Sequence, residues 1–308
     1  MKIKKIILST FFLFTLIPNG IGSENDKYKK KIENKIKSNY LNELKSKISN
    51  WSPLTELNIE QIETNKPEYS IKTLIPLVND LKSKNINFFQ GSLYRHDGGK
   101  RHTFNLGYGY RVLSKDKKKI VGTNIFYDNE FPHNHQQVGI GLELKSSVID
   151  FNSNYYKPIT KWKTGKNGKL ERGMKGHSFE LGGQVPYIPS AKIFLKESKR
   201  YAIEQNNNLK TNTISLFIEN FIYNGLDFEV GYNDKNNRQD THFLRLNYKI
   251  NSNNFERNKS DLLSKNAFNF ENIENRKYEK VRRENKIIKE VKSSISCNGL
   301  CFKIKGTL

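Results

Sequence analysis

Between Arg101 and Leu144 the chain alternates between apolar and polar positions in three successive runs. In the first, Phe104, Leu106, Tyr108, Tyr110 and Val112 share one parity, and Thr103, Asn105, Gly107, Gly109 and Arg111 take the other. The second sets Val121, Thr123, Ile125 and Tyr127 against Gly122, Asn124 and Asp128, and the third sets Val138, Ile140, Leu142 and Leu144 against Gln137, Gly139, Gly141 and Glu143. A period of two predicts strands with one apolar face and one small or polar face. Continued along the chain, the pattern predicts strands at 54–63, 69–78, 86–96, 101–112, 119–129, 135–145, 148–159, 176–187, 190–199, 211–222, 226–234 and 240–250. Twelve is an even number, which returns the chain to the side from which it started, as in single-chain bacterial barrels.

Alternation alone suits a soluble antiparallel sandwich as well as a membrane barrel. The inner parity favours the barrel. It carries Ser178, Glu180 and Gly182, then Asp227, Glu229 and Gly231, then Arg245, Asn247 and Lys249. On the lipid face a Lys or Arg at mid-membrane would cost about 2–4 kcal/mol, whereas a wet lumen tolerates it. The connections agree. Lys161–Lys175 and Ala202–Lys210 are long and polar, while Ser146–Ser147, the turn from Pro186 to Pro189, and Tyr223–Gly225 are short. The fold class expected is therefore all-β, a twelve-stranded antiparallel transmembrane barrel over 54–250.

The flanks read differently. MKIKKIILSTFFLFTLIPNGIGS has Lys2, Lys4 and Lys5 before an apolar run from Ile6 to Ile17, then Pro and small residues. Residues 1–23 are a secretory signal peptide with cleavage near Gly22 or Ser23. Over 24–53, Ile32, Ile36, Tyr40, Leu44 and Ile48 recur every fourth residue among lysines, which predicts a basic amphipathic helix. After Ile250 the alternation stops, and 251–308 is read as a linker and short C-terminal segment. Within it, Tyr278 to Val291 (YEKVRRENKIIKEV) is compatible with a short helix followed by an extended piece.

Composition narrows the chemistry. The 308 residues carry a formal charge of +22, with 35% hydrophobic residues. That charge suits anionic partners: lipopolysaccharide phosphates in the outer-membrane lipid, or an anionic envelope polymer. No helix-turn-helix, zinc-finger or RNA-binding signature accompanies it, so nucleic acid is not expected. Cys297 and Cys301 form C-x3-C in the tail and could close a small disulfide loop in an exported protein; two thiols without a role is the other reading. His133 and His135 read as solvated loop residues. Gly107-Tyr108-Gly109 lies inside a strand with no following helix, which removes a dinucleotide-binding reading. No catalytic, metal or cofactor residue stands out, and no enzyme is expected.

The run resembles the inverse autotransporter β-domain of the intimin and invasin family. The resemblance rests on Thr103 to Arg111, Val121 to Phe131 and Val138 to Glu143 in order, on Tyr69 to Leu77 upstream, and on Gly182 to Pro189. Downstream, Tyr278 to Ile288 is similar to the segment that comes after the barrel in that family. The resemblance implies an outer-membrane barrel of a Gram-negative cell, inserted by the barrel-assembly machinery. It also implies a luminal linker at Tyr278–Lys292, including Val281, Arg282, Asn285 and Ile287, that carries a C-terminal passenger to the surface for adhesion. Beyond Lys292 only SSISCNGLCFKIKGTL remains, so no adhesin passenger is expected, and between signal peptide and barrel the basic helix is expected in place of any obvious peptidoglycan-binding module. The function expected is anchoring and export of a short C-terminal segment. The alternatives are an anion-favouring outer-membrane channel and a soluble secreted β-protein that binds an anionic polymer.

Overall fold

The computed structural model describes residues 55–62, 67–77, 84–203, 208–221, 225–236, 238–250 and 263–292. The expected signal peptide, the expected N-terminal helix, and Cys297 with Cys301 lie outside the described residues.

The chain forms β1 (Thr55–Ile62), β2 (Glu68–Pro76), β3 (Asn85–His96), β4 (Arg101–Leu113), β5 (Lys119–Phe131), β6 (His135–Ser146), β7 (Ile149–Pro158), β8 (Lys163–Thr164), β9 (Leu170–Gly173), β10 (Lys175–Val185), β11 (Ile188–Tyr201), β12 (Leu209–Ile218), β13 (Leu226–Lys235), β14 (Thr241–Lys249) and β15 (Lys289–Val291). Twelve of these, β1–β7 and β10–β14, make a closed antiparallel barrel in which each strand pairs with its neighbour in sequence and β1 pairs with β14. Closure satisfies the ladder hydrogen bonds without an open edge, the condition for backbone in hydrocarbon.

Every predicted barrel strand is present, with ends shifted by up to four residues. Register explains the outer face. Leu106 lies opposite Tyr127, Tyr127 opposite Val138, and Val121 opposite Leu144, so one parity lines up around the exterior. Those side chains are exposed, as at Val121, Ile140 and Leu142, with 53–61% of their surface open. In water so much apolar surface would be unfavourable; against acyl chains it is the solvated state.

The wall is uneven. β3 to β6 have 12 or 13 residues, against the 8 to 10 of β1, β2 and β12 to β14. About 9–11 tilted residues cross the hydrocarbon, so the long strands rise past it. β1 begins and β14 ends at one end of the barrel, here the near end. At the far end the connection after β7, expected to be a polar loop, instead folds as the β8–β9 hairpin, and β15 adds to it as a third strand.

Candidate functional site: the barrel lumen and its threaded segment

Residues 263–292 run from the near end to the far end through the barrel. At the near end Ser264 donates its backbone N–H to Tyr187, and Tyr187 donates back to Ala267. Ile273 donates to Lys117 and packs with Leu113 and Ile120 below the β4–β5 turn. A 3-10 turn covers Glu274–Tyr278. Beyond it the backbone is extended, and at the far end Met174 donates to Ile288 and Lys292 donates to Leu170. The helix expected within Tyr278–Val291 is thus replaced by a turn that precedes it and an extended chain that fills it. A helix needs its own apolar stripe; this stretch finds partners on opposite walls, which extended geometry supplies.

Its side chains alternate between those walls. Lys280 reaches Glu56 on β1 at 3.4 Å. Arg282 binds Glu180 on β10 at 2.6 Å and Glu229 on β13 at 3.1 Å, with its guanidinium 3.8 Å from the Phe194 ring centroid. Glu284 accepts from Lys196 at 2.8 Å and Arg200 at 2.6 Å, both on β11. The odd positions face β3 to β5. Val281 donates its N–H to Gln90 at 2.9 Å, Arg283 forms a two-pronged pair with Asp128 at 2.8 and 2.6 Å, and the Asn285 carbonyl accepts from Asn105 at 3.2 Å. Ile287 is 2% exposed, and Tyr278 packs on an apolar island made by Leu74, Ile86, Phe88, Phe126 and Val281. Near the entry, Arg276 holds Asp150 and Glu279, and Arg111 donates to Glu143 and to the Lys277 carbonyl.

The lumen was expected to be polar and wet. Its β3–β6 side is polar but covered, and it also holds an apolar island. Asn105, Arg111, Asp128 and Glu143 are at most 3% exposed because the threaded segment covers them, and the island of Leu74, Phe88 and Phe126 is apolar. The signal missed in the sequence is a pairing rule. Phe88 sits opposite Gly109, Phe126 opposite Gly107, Phe194 opposite Gly182 and Phe243 opposite Gly231. Each ring lies on the inner parity over its glycine, where a Cβ would meet the ring carbons. These glycines therefore seat luminal rings.

The far mouth is closed by a charged cluster. Arg101 binds Glu130 at 2.6 Å and Glu171 at 2.8 Å, and Lys289 of the threaded segment also binds Glu130 at 2.6 Å. Burial opposes the charge of Glu171, but hydrogen bonds from Arg101 hold its carboxyl below the ordinary value. In the adjoining turn Asp97 is likewise held low, with partial burial outweighed by Lys166 and Arg101. His135, expected to be a solvated loop residue, is fully buried here, its Nε2 3.5 Å from Glu171. Beside the seated segment, which forms part of its wall, a cavity of about 520 Å³ remains along β10 to β14, lined by residues that include Lys72, Lys192, Arg200, Asp227, Lys235 and Arg245.

Comparison with known proteins agrees with this geometry. The inverse autotransporter β-domain family model matches residues 16–285. Invasin of Yersinia enterocolitica is 22% identical over 157 residues, which are 49% of this chain and 18% of that protein. The chain thus matches under a fifth of that relative's length. A membrane protein solved in work on in-meso crystallization shares 20% identity with a TM-score of 0.61, covering 78% of this chain and 100% of the other, which shows the fold. The KdgM porin, at 7% identity and a TM-score of 0.43, covers 63% of this chain and 98% of its own; that likeness is too faint to bear on function.

Proposed function

The chain belongs to the inverse autotransporter β-domain family and is an outer-membrane β-barrel, and from that membership we propose that it holds its own C-terminal chain across the membrane and presents the residues after Lys292 at the cell surface. The observation that carries the reading is the continuous course of 263–292 from one end of the barrel to the other, with paired contacts at nearly every step. The near end, where the chain enters β1 and leaves β14, faces the periplasm. The far end, with β8, β9 and β15, faces outward. The role is that of an anchor: among the described residues the charges of the threaded segment pair with charges of the barrel wall. The exposed product serves attachment to other surfaces.

An epitope after Leu308 tests this. The reading expects antibody labelling on intact cells; labelling confined to permeabilised cells would leave the segment in the periplasm and refute it.

A second reading draws on the cavity beside the threaded segment. Its lining mixes carboxylates with a larger number of Lys and Arg, Lys72, Lys192, Arg200 and Arg245 among them, so a conducting path there would favour anions. Planar-bilayer recordings separate the two, since a barrel that serves only as an anchor gives no steady anion-selective current. The soluble alternative is set aside by the family match and by the apolar exterior.

A further inference from the structure

The outward face is asymmetric from end to end. At the far rim the lipid-facing parity carries Lys157 on β7, Lys175 and His177 on β10, Lys199 on β11 and Lys210 on β12. The register makes them neighbours: His177 lies opposite both Tyr155 and Lys199, and Lys199 lies opposite Lys210. Lys157 and Lys175 are exposed, and the side chains of Lys199 and Lys210 are 40% and 42% open. On these four outward faces the carboxylate is Glu197, which bridges Lys199 at 3.1 Å and Lys210 at 2.8 Å and offsets part of their charge. Asp234 comes next on β13, donated to by Asn212. At the near rim the corresponding positions of the described strands include Val112, Ser146, Ile149, Val185, Ile218 and Leu226, with Lys119 on β5 and further lysines, Lys115, Lys117 and Lys118, in the β4–β5 turn.

Directly below the lysines the exterior is concave. A groove of about 440 Å³ has Phe151, Phe179, Leu181, Leu195, Ile214 and Tyr232 in its lining, with Glu197 and Asp234 among its polar residues. Phe179, Leu181, Leu195 and Ile214 are each about half exposed. Tyr155 stands at the boundary between groove and rim, and Tyr201 stands at the rim opposite Lys175; amphipathic rings favour such interfacial positions.

We propose that the flank formed by β7, β10, β11 and β12 is a binding site for a phosphorylated, multiply acylated glycolipid of the outer leaflet. The phosphates lie among Lys157, Lys175, Lys199 and Lys210, and an acyl chain lies in the groove beneath. Lysine ammonium groups grouped within one or two strand spacings suit phosphate as point charges. Placing the groove on the same flank fixes which lipid end meets which surface. The inference rests on the outward orientation of the far end proposed above.

The test uses the full chain purified in a zwitterionic detergent, with native mass spectrometry reading the lipid retained per barrel. The probes are bisphosphorylated lipid A and its dephosphorylated counterpart. The site expects bisphosphorylated lipid A to be retained at least tenfold more strongly than the dephosphorylated form. It also expects the combined variant K157Q, K175Q, K199Q and K210Q to lose that preference while keeping its heat-dependent gel mobility. Leu195→Trp, which fills the groove and leaves the lysines in place, should weaken retention of both lipids. Equal retention of the two lipids by the natural chain would overturn the proposal, as would an undiminished preference in the glutamine variant. Inorganic pyrophosphate that displaced the lipid at equimolar concentration would also overturn it, since the site would then be one for a free anion. Retention in detergent does not depend on orientation, so failure here with Leu308 labelled on intact cells would sink the lipid site alone.

Discussion

Replacing Asp128 by Asn would leave the Arg283 guanidinium without its charge partner at an enclosed point of the threaded segment. The two side chains are each 1% exposed, and Arg283 also lies 4.3 Å over the Phe126 ring. Asp128 accepts further from Asn105 at 2.7 Å and Gln137 at 3.0 Å, so its position is fixed and the pair cannot re-form by a small shift. Removing one member of such a buried pair costs about 3–5 kcal/mol. At about 1.4 kcal/mol per tenfold, that is roughly a hundred- to a few-thousand-fold in the seated fraction of the segment. Hydrogen exchange at the Val281 and Glu284 amides reports it, because their partners, Gln90 and the Tyr156 hydroxyl, belong to the barrel wall. D128N should accelerate exchange at these two amides by about two orders of magnitude or more. The ladder amides of β3 to β6 should keep their rates. The double variant D128N with R283M removes both charges and should recover most of the protection. Exchange at Val281 and Glu284 that changed by less than about threefold in D128N would refute the view that this pair seats the segment.

Gly109→Ala should push the Phe88 ring off its seat and away from Arg111, whose guanidinium lies 4.5 Å from that ring. The expected loss is about 1–3 kcal/mol, read as a lower temperature for the heat-dependent mobility change. Leu142→Lys puts a charge on a lipid-facing position that is 61% exposed; in vesicles it should cost about 2–4 kcal/mol of unfolding free energy, and Leu142→Ala much less. The Asp97 contact with Lys166 is acid-labile. Its carboxyl is held below the ordinary 3.8, so its contribution is present above about pH 4 and is lost as pH falls through the lowered value. Proteolysis of the 97–100 and 163–170 turns should rise below about pH 4, and Asp97→Asn should abolish the step by making both turns cleavable at neutral pH.

The barrel itself was legible because strand and lipid impose the same period on the sequence. Phe104, Leu106, Tyr108 and Val112 announce an outward face whether or not the partner strand is known. The short sheet at the far mouth was not legible. β8, β9 and β15 have 2, 4 and 3 residues, too few to display a period, and they pair only because the barrel brings residues 163–173 beside 289–291. The threaded segment was located by resemblance, but its conformation was misjudged. Val281, Arg283 and Asn285 against Lys280, Arg282 and Glu284 is an alternation of partners, not of polarity, so a hydropathy pattern cannot show it. The luminal rings were hidden for a similar reason: Phe88-Phe89 and Phe126-Tyr127 place aromatics on both parities, and only the opposing glycines mark which one turns inward.

The most direct measurement of the central claim is the side of the membrane on which each end of the threaded segment lies. With Cys297 and Cys301 replaced by Ser, single cysteines at Lys265→Cys and Lys292→Cys would be treated with a membrane-impermeant maleimide. Both positions are exposed, one at each end of the barrel. In intact cells the cysteine at 292 should label and the one at 265 should not, with both labelling after the outer membrane is permeabilised. Labelling of 265 in intact cells, or of 292 only after permeabilisation, would contradict the account.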